Sequence, residues 1–122
     1  MSKLISDSKR LRILEKTGGQ CAYCGCALND SNRHFDHIVP QCKGGTNKDE
    51  NLFAACGFCN KSKGIQTLED FRLKRICSKA VSEAGFNINQ LRWLEAHGLI
   101  QEVASDPDHK FFFERLELSN EY

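Results

Sequence analysis

Apolar residues along the chain fall into short blocks, and their spacing predicts short elements. Residues 7–17, DSKRLRILEKT, place Leu11, Ile13 and Leu14 on one helical stripe, with Asp7 or Ser8 able to cap and Gly18-Gly19 to stop. Residues 33–39 predict a strand ended by Pro40, and residues 40–50, PQCKGGTNKDE, a loop. The run 51–56, NLFAAC, predicts a short strand or turn, and residues 57–64 a short helix ending at Gly64. Thr67-Leu-Glu-Asp70 resembles a capping box opening a helix to about residue 84, and residues 88–97 predict another closed by Gly98. Residues 99–104 and 110–118 predict two strands around the turn 105–109. One block breaks its own pattern: within HFDHIVP, residues 34–40, the apolar Phe35, Ile38 and Val39 are interleaved with His34, Asp36 and His37. Titratable groups are costly in a buried strand.

Cysteine spacing adds a second signal. Among seven cysteines, Cys21-Ala-Tyr-Cys24 and Cys56-Gly-Phe-Cys59 share the C-x-x-C spacing, with thirty-one residues between Cys24 and Cys56. An odd number of cysteines in an expected intracellular chain argues against a disulfide framework. Two such knuckles supply four thiolates to one structural Zn²⁺, tying the segment before the strand to the start of the following helix. Asn60 then lies near Asp36 and His37. Cys26, Cys42 and Cys77 are surplus, although Cys26 could compete with Cys24 as a ligand. A redox role for the C-x-x-C pairs is disfavoured by the absence of a βαβ pattern.

Charge is uneven. Residues 1–80 hold fourteen basic and eight acidic residues, whereas residues 81–122 hold three basic and eight acidic. A basic first part suits a polyanion and an acidic end does not. The chain has no run of eighteen apolar residues and no apolar stretch near its start, so a soluble, cytoplasmic protein is the expectation.

The ordered set Cys21-x-x-Cys24, Asp36-His37-Ile38-Val39-Pro40, Gly44-Gly45, Asn51-Leu52 and Cys56-x-x-Cys59-Asn60 with Lys63-Gly64 resembles the HNH endonuclease family in its ββα-metal form, over about residues 10–64. That family includes bacterial and phage nucleases and one nuclease domain of RNA-guided CRISPR effectors. The resemblance implies that His37 is the general base, that Asp36 and Asn60 hold a catalytic divalent cation, and that Asn51 orients the histidine through its backbone. The family's first histidine is Asp36 here and its last is Asn60; both substitutions occur in active branches. Oxygen ligands favour Mg²⁺ or Mn²⁺ over Zn²⁺ at that site. DNA is the implied partner, with RNA not excluded, and Lys43, Lys61, Lys63 and His34 are candidate nucleic-acid contacts. His34 could also be a third metal ligand or a plain surface histidine.

The expected architecture is α+β: a ββα-metal (HNH) core with one structural zinc on four cysteines and an N-terminal helix (residues 1–66), then a helical and β-hairpin extension packing on the core (residues 67–122). The extension resembles the end of a winged helix, but its acidity argues against a DNA grip. Its Trp93, Phe111, Phe112, Phe113 and Leu116 are expected to supply apolar area, and a homodimer or protein contact through it is a further expectation. Adjacent strand residues point to opposite faces. If Asp36 and His37 serve one cluster, irregular geometry between residue 35 and Pro40, or a site wrapping the strand edge, is therefore expected. The competing function is a catalytically silent zinc module that binds nucleic acid or protein, which has no need of Asp36, His37 and Asn60.

Overall fold

The block that breaks its pattern pairs with the apolar run after it. In the computed structural model, which describes residues 5–116, β1 (Arg33–His37) and β2 (Leu52–Cys56) form an antiparallel two-stranded sheet with Phe35 opposite Ala54, Asp36 opposite Phe53 and His37 opposite Leu52. Residues opposite one another share a face, so one face carries Phe35, Leu52 and Ala54 and the other His34, Asp36, Phe53 and Ala55. All of β2 is buried, because both faces are covered. Helix α1 (Asp7–Lys16) covers the first, packing Ile13 against Leu52 and Ala54. Its cap is Ser6, which accepts from the Lys9 amide, instead of Asp7 or Ser8. Helix α2 (Gly57–Lys63) follows β2 directly and completes a ββα unit.

The described residues fall into two units, one running to Thr67 and resuming at Phe111, the other Leu68–Lys110. In the first unit, Phe111 and Phe113 are buried against the knuckle that holds Tyr23. Ring centroids lie 5.3 Å apart for Tyr23–Phe111 and 4.7 Å apart for Phe53–Phe113. The backbone joins them: the Phe112 and Phe113 amides donate to the carbonyls of Tyr23 and Ala22, and Ala22 donates to Ala54 of β2.

The second unit has its own core of Leu73, Cys77 and Leu91, supplied by α3 (Leu68–Ile76), α4 (Ser78–Ala84) and α5 (Ile88–Ala96). The single helix expected over 67–84 is interrupted at Cys77. The Ile76 carbonyl accepts from the Ser105 and Asp106 amides instead of from Ala80, which occupies both of its lone pairs at the break. Asn87 and Gln90 form the capping box that starts α5.

The expected C-terminal β-hairpin is absent from the described residues. Residues 100–102 wind into a 3-10 turn, with Leu99 donating to Leu94 and Val103 to Ile100, which leaves no donor row for a strand. Residues 112–115 form a short helix, α6 (Phe112–Arg115), whose start is closed by Glu114 accepting from the Phe111 amide. Residues 117 and 118 of the expected strand lie outside the described residues. Trp93 is not core either: it is 55% exposed and stacks on His97, and Leu116 is 42% exposed. No helix among the described residues is long and apolar enough to cross a membrane.

Candidate active site and cysteine cluster

The two knuckles meet. The sulfurs of Cys21, Cys24, Cys56 and Cys59 all lie within 4.8 Å of one another, and all seven cysteines are free thiols. Cys24 and Cys56 sulfurs are 3.8 Å apart. A tetrahedron with Zn–S bonds of about 2.3 Å has an edge of about 3.8 Å, so these four residues fit a tetrahedral metal ion. The electrostatics favour deprotonation at one corner. A hydrogen bond from Cys59 holds the Cys21 thiol down to about 4, while the same bond raises Cys59. Cys26 is exposed, and its thiol is pushed up to about 12, by desolvation first and then by Cys24 and Cys56.

Asp36 stands on the buried face of β1, 5% exposed. Its Oδ2 accepts from the Tyr23 hydroxyl at 2.5 Å and pairs with Lys63 Nζ at 3.2 Å, and its Oδ1 lies 3.5 Å from the same Nζ. Burial raises the carboxyl above its ordinary range, and Lys63 and then the Tyr23 hydroxyl oppose that rise. Tyr23 itself is raised well above the usual phenol range, by burial first and then by the Asp36 charge. Lys63, expected at a nucleic-acid surface, is instead fully buried. Its ammonium also donates to the His37 carbonyl at 2.9 Å, so it braces β1 and does not face a phosphate. Lys43, Lys61 and His34 are exposed.

His37 turns the other way, toward the loop after β1. Its Nε2 lies 2.7 Å from Asn47 Oδ1, which Gln41 also contacts at 3.2 Å. Asn51 clamps this loop from β2's entrance. Its carboxamide accepts from the Val39 amide at 2.9 Å and donates to the carbonyls of Val39 at 3.1 Å and Thr46 at 2.8 Å. Its carbonyl accepts from Ile38 at 2.9 Å. Asn51 thus fixes the backbone that follows His37 without touching the ring. The loop closes tightly at Gly45, where a Cβ would sit 1.7 Å from the Val39 carbonyl oxygen; no other residue type fits that approach. Pairing is one-to-one through His37. The irregularity expected between residue 35 and Pro40 is a bend at Ile38–Val39, with no bulge inside the strand.

Asp36 and His37 nevertheless line the same space. An open cleft of about 840 Å³ runs along β1 and is lined by Asp36 and His34 from one face, Phe35 and His37 from the other, and Asn60 from α2. Both faces of β1 thus contribute to one cleft, on a strand paired on one side alone among the described residues. Four cleft or site residues escape the sequence reading. Arg10 and Arg33 line the cleft, as does Asn47, and Tyr23 holds Asp36. The salt-bridge partners of the two arginines, Asp7 and Asp30, are almost fully exposed.

With this geometry in hand, comparison with known proteins points the same way. Residues 21–74 match the family model for HNH endonuclease. Over 60 residues it is 47% identical to CRISPR-associated endonuclease Cas9 of Corynebacterium diphtheriae, covering 48% of this chain and 6% of that protein. It is 45% identical over 58 residues to the Cas9 of Actinomyces naeslundii, covering 47% of this chain and 5% of that one. The crystal structure of the Type II-C Cas9 enzyme from Actinomyces naeslundii aligns with a TM-score of 0.50 and 29% identity, over 84% of this chain and 11% of that chain. The chain therefore spans a small fraction of the length of the relatives it matches.

Proposed function

We propose that this chain is a divalent-metal-dependent endonuclease domain that hydrolyses DNA phosphodiester bonds. One observation carries the proposal: Asp36, His37 and Asn60 line a single cleft, although they come from two faces of a strand and from a helix. A silent binding module needs no such convergence. The likeness to CRISPR-associated endonucleases supports the same activity.

In the proposed reaction His37 accepts a proton from the attacking water. The Asp36 carboxylate and the Asn60 amide oxygen form a hard donor pair suited to Mg²⁺ or Mn²⁺. When bound, such a cation supplies charge stabilisation at the phosphate and the leaving oxygen. Lys63 and Tyr23 hold Asp36 in place, and Asn51 and Asn47 hold the segment and ring of His37. Arg10 and Arg33 at the cleft, with Lys43, Lys61 and His34, are the cationic and polar groups available to the DNA backbone. Cys21, Cys24, Cys56 and Cys59 are assigned to one structural Zn²⁺, which fastens the Tyr23 knuckle to the start of α2.

Nicking of supercoiled plasmid by the zinc-loaded protein tests the proposal. Nicking is expected with Mg²⁺ or Mn²⁺, loss with EDTA, and loss in Asp36→Ala. A protein that binds DNA but never cuts under either cation would favour the silent module.

A further inference from the structure

We infer that Tyr23 is a positioning residue for the cleft, setting the Asp36 carboxylate from within the cysteine knuckle. The inference rests on the proposal that Asp36 holds the catalytic cation. Tyr23 lies between the cluster residues Cys21 and Cys24, so the knuckle that presents two sulfurs also aims this phenol. Its ring is 3% exposed and is held by edge contacts to Phe53, Phe111 and Phe113, with centroids 6.0, 5.3 and 6.5 Å away. Its backbone is fixed on both sides, by Ala22 donating to Ala54 and by its own carbonyl accepting from Phe112. The hydroxyl therefore has little freedom where it meets Asp36 Oδ2 at 2.5 Å.

The carboxylate is held unequally. Oδ2 takes the Tyr23 hydroxyl and the closer approach of Lys63, 3.2 Å, whereas among the described residues Oδ1 has only the 3.5 Å contact with Lys63. Without the phenol, Asp36 would be left to Lys63 alone, whose ammonium is shared with the His37 carbonyl and competes with a cation for the same oxygens. Tyr23 thus keeps Oδ2 anchored and leaves Oδ1 as the oxygen for the cation. Groups that orient a ligating carboxylate typically change metal affinity or activity by about 10- to 100-fold when removed. A buried tyrosine that merely satisfies its own hydroxyl would affect stability alone.

Tyr23→Phe keeps the ring and its contacts. Mn²⁺ binding by calorimetry and the Mn²⁺ dependence of plasmid nicking are measured beside zinc content and melting temperature. The expected result is an unchanged zinc content, a Mn²⁺ requirement raised by about 10-fold or more, and recovery of most of the rate at saturating Mn²⁺. A folded Tyr23→Phe protein with the wild-type Mn²⁺ curve would overturn the inference. Asp36→Ala separates the two levels: wild-type Mn²⁺ binding by that variant would remove the ligand itself and the inference with it. If Tyr23→Phe does not fold, fluorotyrosine provides a second measurement. The chain has two tyrosines, so Tyr122→Phe leaves one label. Its ¹⁹F resonance is expected to move as Mg²⁺ binds and to stay still in Asp36→Ala. A resonance unmoved at saturating Mg²⁺ contradicts the inference.

Discussion

Replacing Lys63 by methionine removes a buried charge while keeping the side-chain volume. Lys63 is 0% exposed and Asp36 only 6% at its side chain, with 3.2 Å between Nζ and Oδ2, and Nζ donates to the His37 carbonyl at 2.9 Å. Removing one partner of such a pair leaves an uncompensated buried carboxylate, which costs about 3–5 kcal/mol. In a chain of this size that corresponds to a fall in Tm of roughly 10–20 °C. The deficit should depend on pH with a definite sign. Burial already raises Asp36, and Lys63 is the strongest influence opposing the rise, so the variant's folded-state pKa moves further up. A carboxyl raised in the folded state is fully tolerated below its unfolded pKa of about 3.9. It costs progressively more as pH climbs from there toward the folded value, where the full penalty is reached. Thermal melts of zinc-loaded wild type and Lys63→Met at about pH 5 and about pH 8 should therefore show the larger gap at the higher pH. A gap under about 0.5 kcal/mol at both, the usual effect at an exposed site, would refute the buried pair.

Cys56→Ser is expected to lose the metal carried by the cluster, from roughly one zinc per chain to none by elemental analysis, with loss of the cooperative melt. Cys26→Ser should retain it, because the four clustered sulfurs exclude Cys26. Asn51→Ala removes three side-chain hydrogen bonds at a 9% exposed position. It should cost about 1–3 kcal/mol for each backbone group left buried and unpaired. Its melting temperature and its nicking rate should fall together.

The parts legible in the sequence are those written in local spacing. Two C-x-x-C pairs bring their sulfurs together through tight turns, and Asp36, His37 and Asn60 follow from the segments those pairs frame. Lys63 misleads because a cation in a polar helix reads as surface. The contrary signal is present: Lys63 is four residues after Cys59, and residues four apart share a helix face, so a helix that aims Cys59 inward buries Lys63 too. Tyr23 carries no such signal, since nothing in C-A-Y-C says what the phenol meets across the fold. Trp93 reads as core on its size, but it lies about 200° around α5 from the buried Leu91. The C-terminal hairpin fails for a tertiary reason. Apolar residues at 99–104 suggest a strand, yet Ile100 and Val103 pack on the second unit's core and local backbone bonds fold that stretch into turns.

The most direct test of the central claim is cleavage by His37→Ala. Nicking of supercoiled plasmid should be followed in Mn²⁺ at saturating protein, with zinc content and Mn²⁺ binding measured on the same preparations. Loss of a positioned general base should slow the chemical step by about 10²–10⁴-fold while zinc and Mn²⁺ binding stay at wild-type levels. Cleavage at the wild-type rate by a folded, metal-loaded His37→Ala protein would contradict the assignment of the cleft as the place where the phosphodiester is cut.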